Sequence, residues 1–179
     1  MGVEGILVFD TGPLMHFARH NWLGVLKAVV GKRTALIPDT VVDELRTGAT
    51  RDSRIQAVLD ATWLEHRELR TEEEIKAFAD FSALLVWQDR NRGEAGVLAL
   101  ASTVGGIAVI DDGAGRRAAA THKVALRPTL SLLCEAIRLG LLTVELVSAL
   151  ADDLLSGEYR LPFEAGGFEK WAGENGLLS

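Results

Sequence analysis

The sequence predicts an α/β fold: a parallel sheet covered by helices on both faces. Short apolar runs alternate with helix-period segments along the whole chain, which is the signature of strands joined through helices. Two of those runs, Ile6–Phe9 and Ile107–Ile110, are apolar throughout, as strands buried on both faces are. Each ends directly in a carboxylate, Asp10 in one case and the pair Asp111-Asp112 in the other.

The elements follow in order. After the first strand, Asp10 or Thr11 is placed to cap a helix with Pro13 in its first turn. Apolar residues recur at Leu14, Phe17, Trp22, Val25, Leu26 and Val29, in one or two helical pieces that Gly31 stops. Thr34–Ile37 is a second strand. Pro38-Asp39-Thr40 starts a helix through Leu45, with Gly48 as its stop signal and a polar loop beyond it. Ile55, Val58 and Leu59 have helical spacing, and Trp63-Leu64 marks a third strand. Thr71 with Glu74 three residues on is a capping box ahead of a helix reaching Gln88. Asp89 to Gly93 is a polar loop, and Glu94 opens a helix to Thr103. A helix over 114–122, a last short strand Val124–Leu126, and helices from Thr129 to Leu139 and Thr143 to Leu155 complete the pattern. The aromatic tail, with Tyr159, Phe163, Phe168 and Trp171, is expected to pack on the domain. The expected organisation is one domain over 1–142 with a helical extension, 143–179, packed on it.

Composition narrows the class. Hydrophobic residues make up 48% of the 179, ample for a core. A formal charge of -6 argues against gripping nucleic acid by bulk charge, yet bound cations would restore positive charge to an acidic site. The single cysteine, Cys134, reads as a small buried hydrophobe and fits a reducing cytoplasm. Residues 1–5 carry no basic segment of a signal peptide, and no apolar run approaches the length of about 20 residues that a membrane span needs.

In open α/β sheets, ligands bind outside the carboxyl ends of the strands, where Asp10 and Asp111 stand. Taken singly, Asp10 reads as a helix cap and Asp111-Asp112-Gly113 as a turn. Glu94 changes that balance. Its neighbours at i+3, i+4 and i+7 are Val97, Leu98 and Ala101, so its carboxylate points toward the core side. A carboxylate so aimed wants a cation or a hydrogen-bond cage. Glu44, between Val41 and Leu45, borders the buried face of its helix. Carboxylates without His or Cys suit a hard cation, Mg²⁺ or Mn²⁺, and metal-assisted attack of water on a phosphodiester. Other chemistries lack their residues. Gly31-Lys32-Arg33 is not a phosphate-binding loop, His16 and His20 alone make no zinc site, and Gly12 stands where an Asp-based phosphatase needs its second acid.

Val8-Phe-Asp10-Thr-Gly-Pro-Leu, Ile37-Pro-Asp-Thr-Val-Val-Asp-Glu44-Leu, Gly93-Glu94-Ala and Val109-Ile-Asp111-Asp112, in that order, resemble the PIN-domain nucleases. Asp112-Gly-Ala-Gly-Arg116-Arg117, Ile137-Arg-Leu-Gly140 and the tail resemble a branch encoded like VapC-type toxins. The resemblance implies a three-layer α/β/α sandwich with a short, mostly parallel central sheet, an Mg²⁺ or Mn²⁺ site, and endoribonuclease activity. It carries over Asp10 and Glu94 as metal ligands, Glu44 as a ligand or supporting acid, and either Asp111 or Asp112 as the fourth acid. Thr11 matches the family's hydroxyl beside the first Asp. Arg116 and Arg117, and Arg92 before Glu94, are candidate contacts to substrate phosphate, against the plainer reading of a solvated helix face.

The resulting expectation is a cytoplasmic, metal-dependent ribonuclease that cleaves RNA as the toxin of a toxin–antitoxin pair, with a small cognate antitoxin as partner. A homodimer through the helices after Thr129 is a further expectation from the family. The competing reading is a module of the same fold that binds nucleic acid or a partner without turnover.

Overall fold

The computed structural model describes residues 5–88 and 90–178. Its centre is a sheet of four parallel strands: β1 (Ile6–Phe9), β2 (Thr34–Pro38), β3 (Leu64–Arg67) and β4 (Ile107–Val109), in the order β3-β2-β1-β4. Leu7, Val8, Phe9, Ala108 and Val109 are fully buried, so the two central strands are apolar because both faces are covered. The helices are α1 (Thr11–Arg19), α2 (Leu23–Val30), α3 (Asp39–Arg51), α4 (Gln56–Leu59), α5 (Glu72–Leu85), α6 (Arg92–Val104), α7 (Gly113–His122), α8 (Thr129–Arg138), α9 (Val144–Ser156) and α10 (Phe168–Glu174). The result is the α/β/α sandwich expected from the sequence.

Strand order explains why the first and last acids meet. From β1 the chain winds outward through β2 to β3, then returns to the other side of β1 as β4. The winding reverses between β1 and β4, which opens a crevice at the carboxyl ends of those two strands. The register pairs Phe9 with Val109, and the Asp10 N–H donates to the Val109 carbonyl at 3.1 Å. The chain continues directly from both strands into Asp10 and into Ile110-Asp111-Asp112.

Several boundaries differ from the sequence expectation. The apolar stretch after β1 does form two of the helical pieces the sequence allowed, α1 and α2, with Asn21 in the left-handed region (φ 61°) between them. Gly48 does not stop α3, which continues to Arg51. A Cβ at residue 48 would lie 2.5 Å from Met15 Cε, so this glycine permits close approach of α1 and α3. The predicted loop and helix after it are the end of α3, a 3-10 turn at Ser53–Ile55 and the short α4. β3 starts one residue later than predicted and runs longer. Its Glu65 and His66 are exposed, as on an edge strand, so the apolar signal fades there. The capping box of α5 is formed on both sides, Glu74 N–H to Thr71 Oγ1 at 3.1 Å and Thr71 N–H to Glu74 Oε2 at 2.9 Å. That helix ends at Leu85, three residues short of Gln88, and Gln88 and Asn91 are left-handed. Asp89 of the predicted polar loop, and residues 1–4 of the segment read as lacking a signal peptide, lie outside the described residues. The last predicted strand is a single parallel bridge, Ala108 to Leu126.

The C-terminal part folds back over the domain. Trp22 Nε1 donates to Asp153 Oδ2 at 2.8 Å, tying α9 to the start of α2. Phe168 is fully buried, with Phe163 edge-on at 5.9 Å. Tyr159, Phe163 and Trp171 are half-buried against the same core. Leu132, Leu133, Cys134 and Ala136 of α8 and Val147, Leu150 and Ala151 of α9 face the core. The apolar faces on which the sequence expectation of a dimer rested are therefore largely used internally, leaving Leu139 and Leu141 exposed. No helix among the described residues is long and apolar enough to cross a membrane.

Candidate metal centre

Asp10 and Asp111 are delivered by strand ends, Asp112 by the turn after β4, and Glu94 by the first turn of α6. Together with Gly12, His16, Tyr159 and Arg160 they line one cleft of about 380 Å³. Asp10 stands at the N-cap position of α1, but its side chain makes no capping bond. The helix-cap reading of this residue therefore fails: the carboxylate is turned into the cleft. Asp10 is 8% exposed and Glu94 7%. Glu94 Oε2 is buried without a hydrogen-bond partner among the described residues.

The electrostatics follow from this crowding. Burial pushes the Asp10 carboxyl well above its ordinary range, and Glu94, Glu44 and Asp111 push it further, while the Thr11 N–H pulls it down. Burial likewise raises Glu94 to about 7, reinforced by Asp112 and Glu44 and opposed by the Gly115 N–H. These acids repel one another in a low-dielectric cleft, the arrangement that a cation relieves.

Asp111 and Asp112 divide the remaining work. Asp111 Oδ1 accepts the Thr129 N–H at 2.7 Å, and Oδ2 accepts the Thr129 hydroxyl at 2.7 Å and the Tyr159 hydroxyl. Burial still raises its pKa, against the lowering effect of the Thr129 bonds and Arg116. Asp112 caps α7 through Oδ1, which accepts the Ala114 N–H at 2.7 Å, and it is exposed. Its other oxygen makes no hydrogen bond among the described residues. Asp112 raises the Glu94 carboxyl, while Asp111 raises that of Asp10.

Glu44 stands behind this cleft, where it braces three elements. Its Oε1 accepts the Gly93 N–H at 2.9 Å and its Oε2 accepts the Thr11 hydroxyl. Thr11 is thus bonded to Glu44 rather than left free for a ligand. Glu44 also lines a separate groove with Arg19, Arg51 and Arg92. Of the other arginines, Arg116 borders the cavity next to the acidic cleft, whereas Arg117 lies along Leu84 and Leu85 with its Nη1 close to Gly113. None of Arg92, Arg116 and Arg117 lines the acidic cleft itself.

Sequence reasoning missed His16, Tyr159 and Arg160 as cleft residues. Tyr159 packs edge-on against His16, ring centroids 4.7 Å apart. Burial, with Arg19 and His20 nearby, lowers the His16 pKa, so a neutral imidazole stands at the cleft. The aromatic tail signalled packing but carried no spacing that pointed to Asp111.

The donor set fits a hard divalent cation, because every group aimed into the cleft at the strand ends is a carboxylate and one buried oxygen is unpartnered. Among the described residues no three His, Cys, Asp or Glu side chains are grouped closely enough to hold a metal ion between them.

A parallel sheet reversing at β1 and β4, with acids converging at that reversal, defines an α/β protein with an acidic cleft at its switch point. A family model described as PIN domain matches residues 6–165. The chain belongs to the PIN domain family, whose members are generally metal-dependent nucleases. No curated protein sequence matches it. Its fold is similar to a chain in the crystal structure of VapBC2 from Rickettsia felis bound to a DNA fragment from their promoter. The TM-score is 0.52 and the identity 14%, over 69% of this chain and 98% of that one.

Proposed function

We propose that this protein is a divalent-cation-dependent ribonuclease and the toxin of a toxin–antitoxin pair. The observation that carries the reading is the Glu94 carboxylate, buried and unpartnered at Oε2 within a cleft shared with Asp10, Asp111 and Asp112. Membership of the PIN family and the fold shared with a VapBC2 chain support it.

Asp10, Glu94 and Asp112 would hold Mg²⁺ or Mn²⁺. A cation there supplies positive charge to a scissile phosphate and acidifies the attacking water. Glu44 holds the first turns of α1 and α6 at a set separation, and so sets the spacing of Asp10 and Glu94. Asp111 anchors the start of α8 and the tail around the cleft. RNA is the substrate class, and a small antitoxin protein is the partner.

The test is cleavage of labelled RNA by the full chain, with and without Mg²⁺ or Mn²⁺, beside Asp10→Asn and Glu94→Gln. Cleavage that needs the metal and vanishes in both folded variants supports the reading. Full activity in either variant, against a nuclease-free control, removes these residues as ligands. Calorimetric titration with Mn²⁺ separates the rival: micromolar binding lost in the variants favours the nuclease, and no binding at millimolar metal favours a non-catalytic binding module. A short neighbouring reading frame whose product co-purifies with this chain would support the toxin assignment.

A further inference from the structure

A second cavity, of about 530 Å³, adjoins the acidic cleft and shares Asp111, Tyr159 and Arg160 with it. Its floor is apolar, with Leu133 and Leu154 from the core and Leu161 from the tail, and Trp171 contributes an aromatic ring. Its volume is within the ordinary range for small-ligand sites, about 300–1,000 Å³.

We propose that this cavity is a nucleoside subsite, seating the base and sugar of the nucleotide next to the phosphate held in the acidic cleft. The proposal rests on the nuclease reading above and adds the part of the substrate that the chain would recognise. Three observations carry it. First, the cavity and the cleft share a wall, so a chain entering one continues into the other. The polynucleotide backbone places base and phosphate at just such adjoining positions.

Second, the charges at the join have the right sign. Arg116 and Arg160 both line the cavity, both are exposed, and neither guanidinium has an ion-pair partner among the described residues. In a chain of net charge -6, two exposed cations outside any salt bridge, one of them near enough to act on Asp111, complement a phosphodiester on the rim. An aromatic ring and an apolar floor behind them suit stacking of a base, a contact every base can make.

Third, the wall is built before any ligand arrives. Asp111 ties the start of α8, through the N–H and hydroxyl of Thr129, to the tail, through Tyr159. Ser131, in the first turn of α8, lines the same wall, and its side chain carries a hydroxyl of the kind a base edge can bond to.

The test uses the full chain labelled with ¹⁵N and titrated with 5′-AMP, 5′-GMP, 5′-CMP and 5′-UMP. The indole signal of Trp171, identified by its loss in Trp171→Phe, is the readout, so no catalysis is needed. The expected result is a saturable shift of that signal with at least one mononucleotide. Affinity should weaken at least fivefold in Arg116→Ala/Arg160→Ala, whose side chains are exposed and whose fold is checked by the remaining spectrum. Ser131→Phe, which fills the cavity, should abolish the shift. Equal binding of ribose 5-phosphate or inorganic phosphate overturns the proposal, because the site would then recognise only an anion. A response to an apolar peptide but to no nucleotide also overturns it, in favour of a protein-docking site. No shift with any mononucleotide overturns it outright.

Failure of the nuclease reading is separately visible. Absent Mn²⁺ binding together with a normal nucleotide shift would remove the metal chemistry and leave the subsite standing. Metal-dependent cleavage without any nucleotide shift would remove the subsite alone.

Discussion

The Gly93 N–H donates to Glu44 Oε1 at 2.9 Å, and a Cβ at residue 93 would lie 2.5 Å from the same carboxylate's Oε2. Glu44 therefore rests against bare backbone at the first turn of α6, one residue before Glu94. Gly93→Ala is expected to push the Glu44 carboxylate out of this seat and to break its bond to Thr11. Loss of hydrogen bonds to a partly buried carboxylate costs roughly 1–3 kcal/mol. Denaturant melts should show that loss, and RNA cleavage should fall by about tenfold or more, as misplacement of a catalytic constellation does. Unchanged cleavage would mean that Glu44 does not set the spacing of Asp10 and Glu94.

Glu94 predicts an unusual stability profile. Its pKa is raised from 4.5 to about 7 in the fold, so the folded state holds the proton more tightly than the unfolded chain does. Its stabilising contribution is complete below the unfolded value and is lost as pH rises through about 7. The size of the loss is roughly 3 kcal/mol. In chelator at pH 8, Glu94→Gln should thus melt at a higher temperature than the native protein while cutting no RNA. Equal melting of the two at pH 8 and at pH 5 would contradict the crowding of these acids.

Cation binding should share that dependence. Asp10 and Glu94 must both be ionised to hold a cation, and both have raised pKa values. Calorimetry should show Mn²⁺ affinity rising steeply between pH 6 and about 8, with protons released on binding. A flat profile would place the metal elsewhere.

The two adjacent aspartates should separate experimentally. Asp111→Asn leaves an amide nitrogen where one oxygen accepted, so the link among β4, Thr129 and Tyr159 weakens, and stability should fall by about 1–3 kcal/mol. Asp112→Asn retains a good helix cap for α7, so stability should barely change. It removes a carboxylate proposed to hold the cation, so Mn²⁺ affinity should drop. The reverse pattern, in melts and calorimetry, would exchange the two roles.

Away from the site, Thr71→Ala removes the acceptor in the capping box of α5 and should cost about 1 kcal/mol without altering cleavage. A change in kcat for this variant would show that α5 is coupled to the cleft.

The central strands were readable because burial on both faces leaves an unbroken apolar run, as in Ile6–Phe9. The capping box at Thr71 and Glu74 was readable because its chemistry is local. Gly48 was misread, and β3 was found but cut short, for the opposite reason. A glycine that lets Met15 approach looks the same in sequence as one that ends a helix, and an edge strand with exposed Glu65 and His66 looks like a loop.

For the site, the sequence by itself determined which acids end their strands and that Glu94 points inward, since both follow from helix and strand periods. Tertiary structure alone decided how they divide. The reversal of winding between β1 and β4 brings Asp10 to Asp111, and the fold-back of the tail gives Tyr159 to Asp111. Asp112 stays exposed at the start of α7, close enough to raise the Glu94 carboxyl. The physical reason is distance along the chain: Tyr159 lies 48 residues from Asp111, and no local period reports a partner that packing alone brings near.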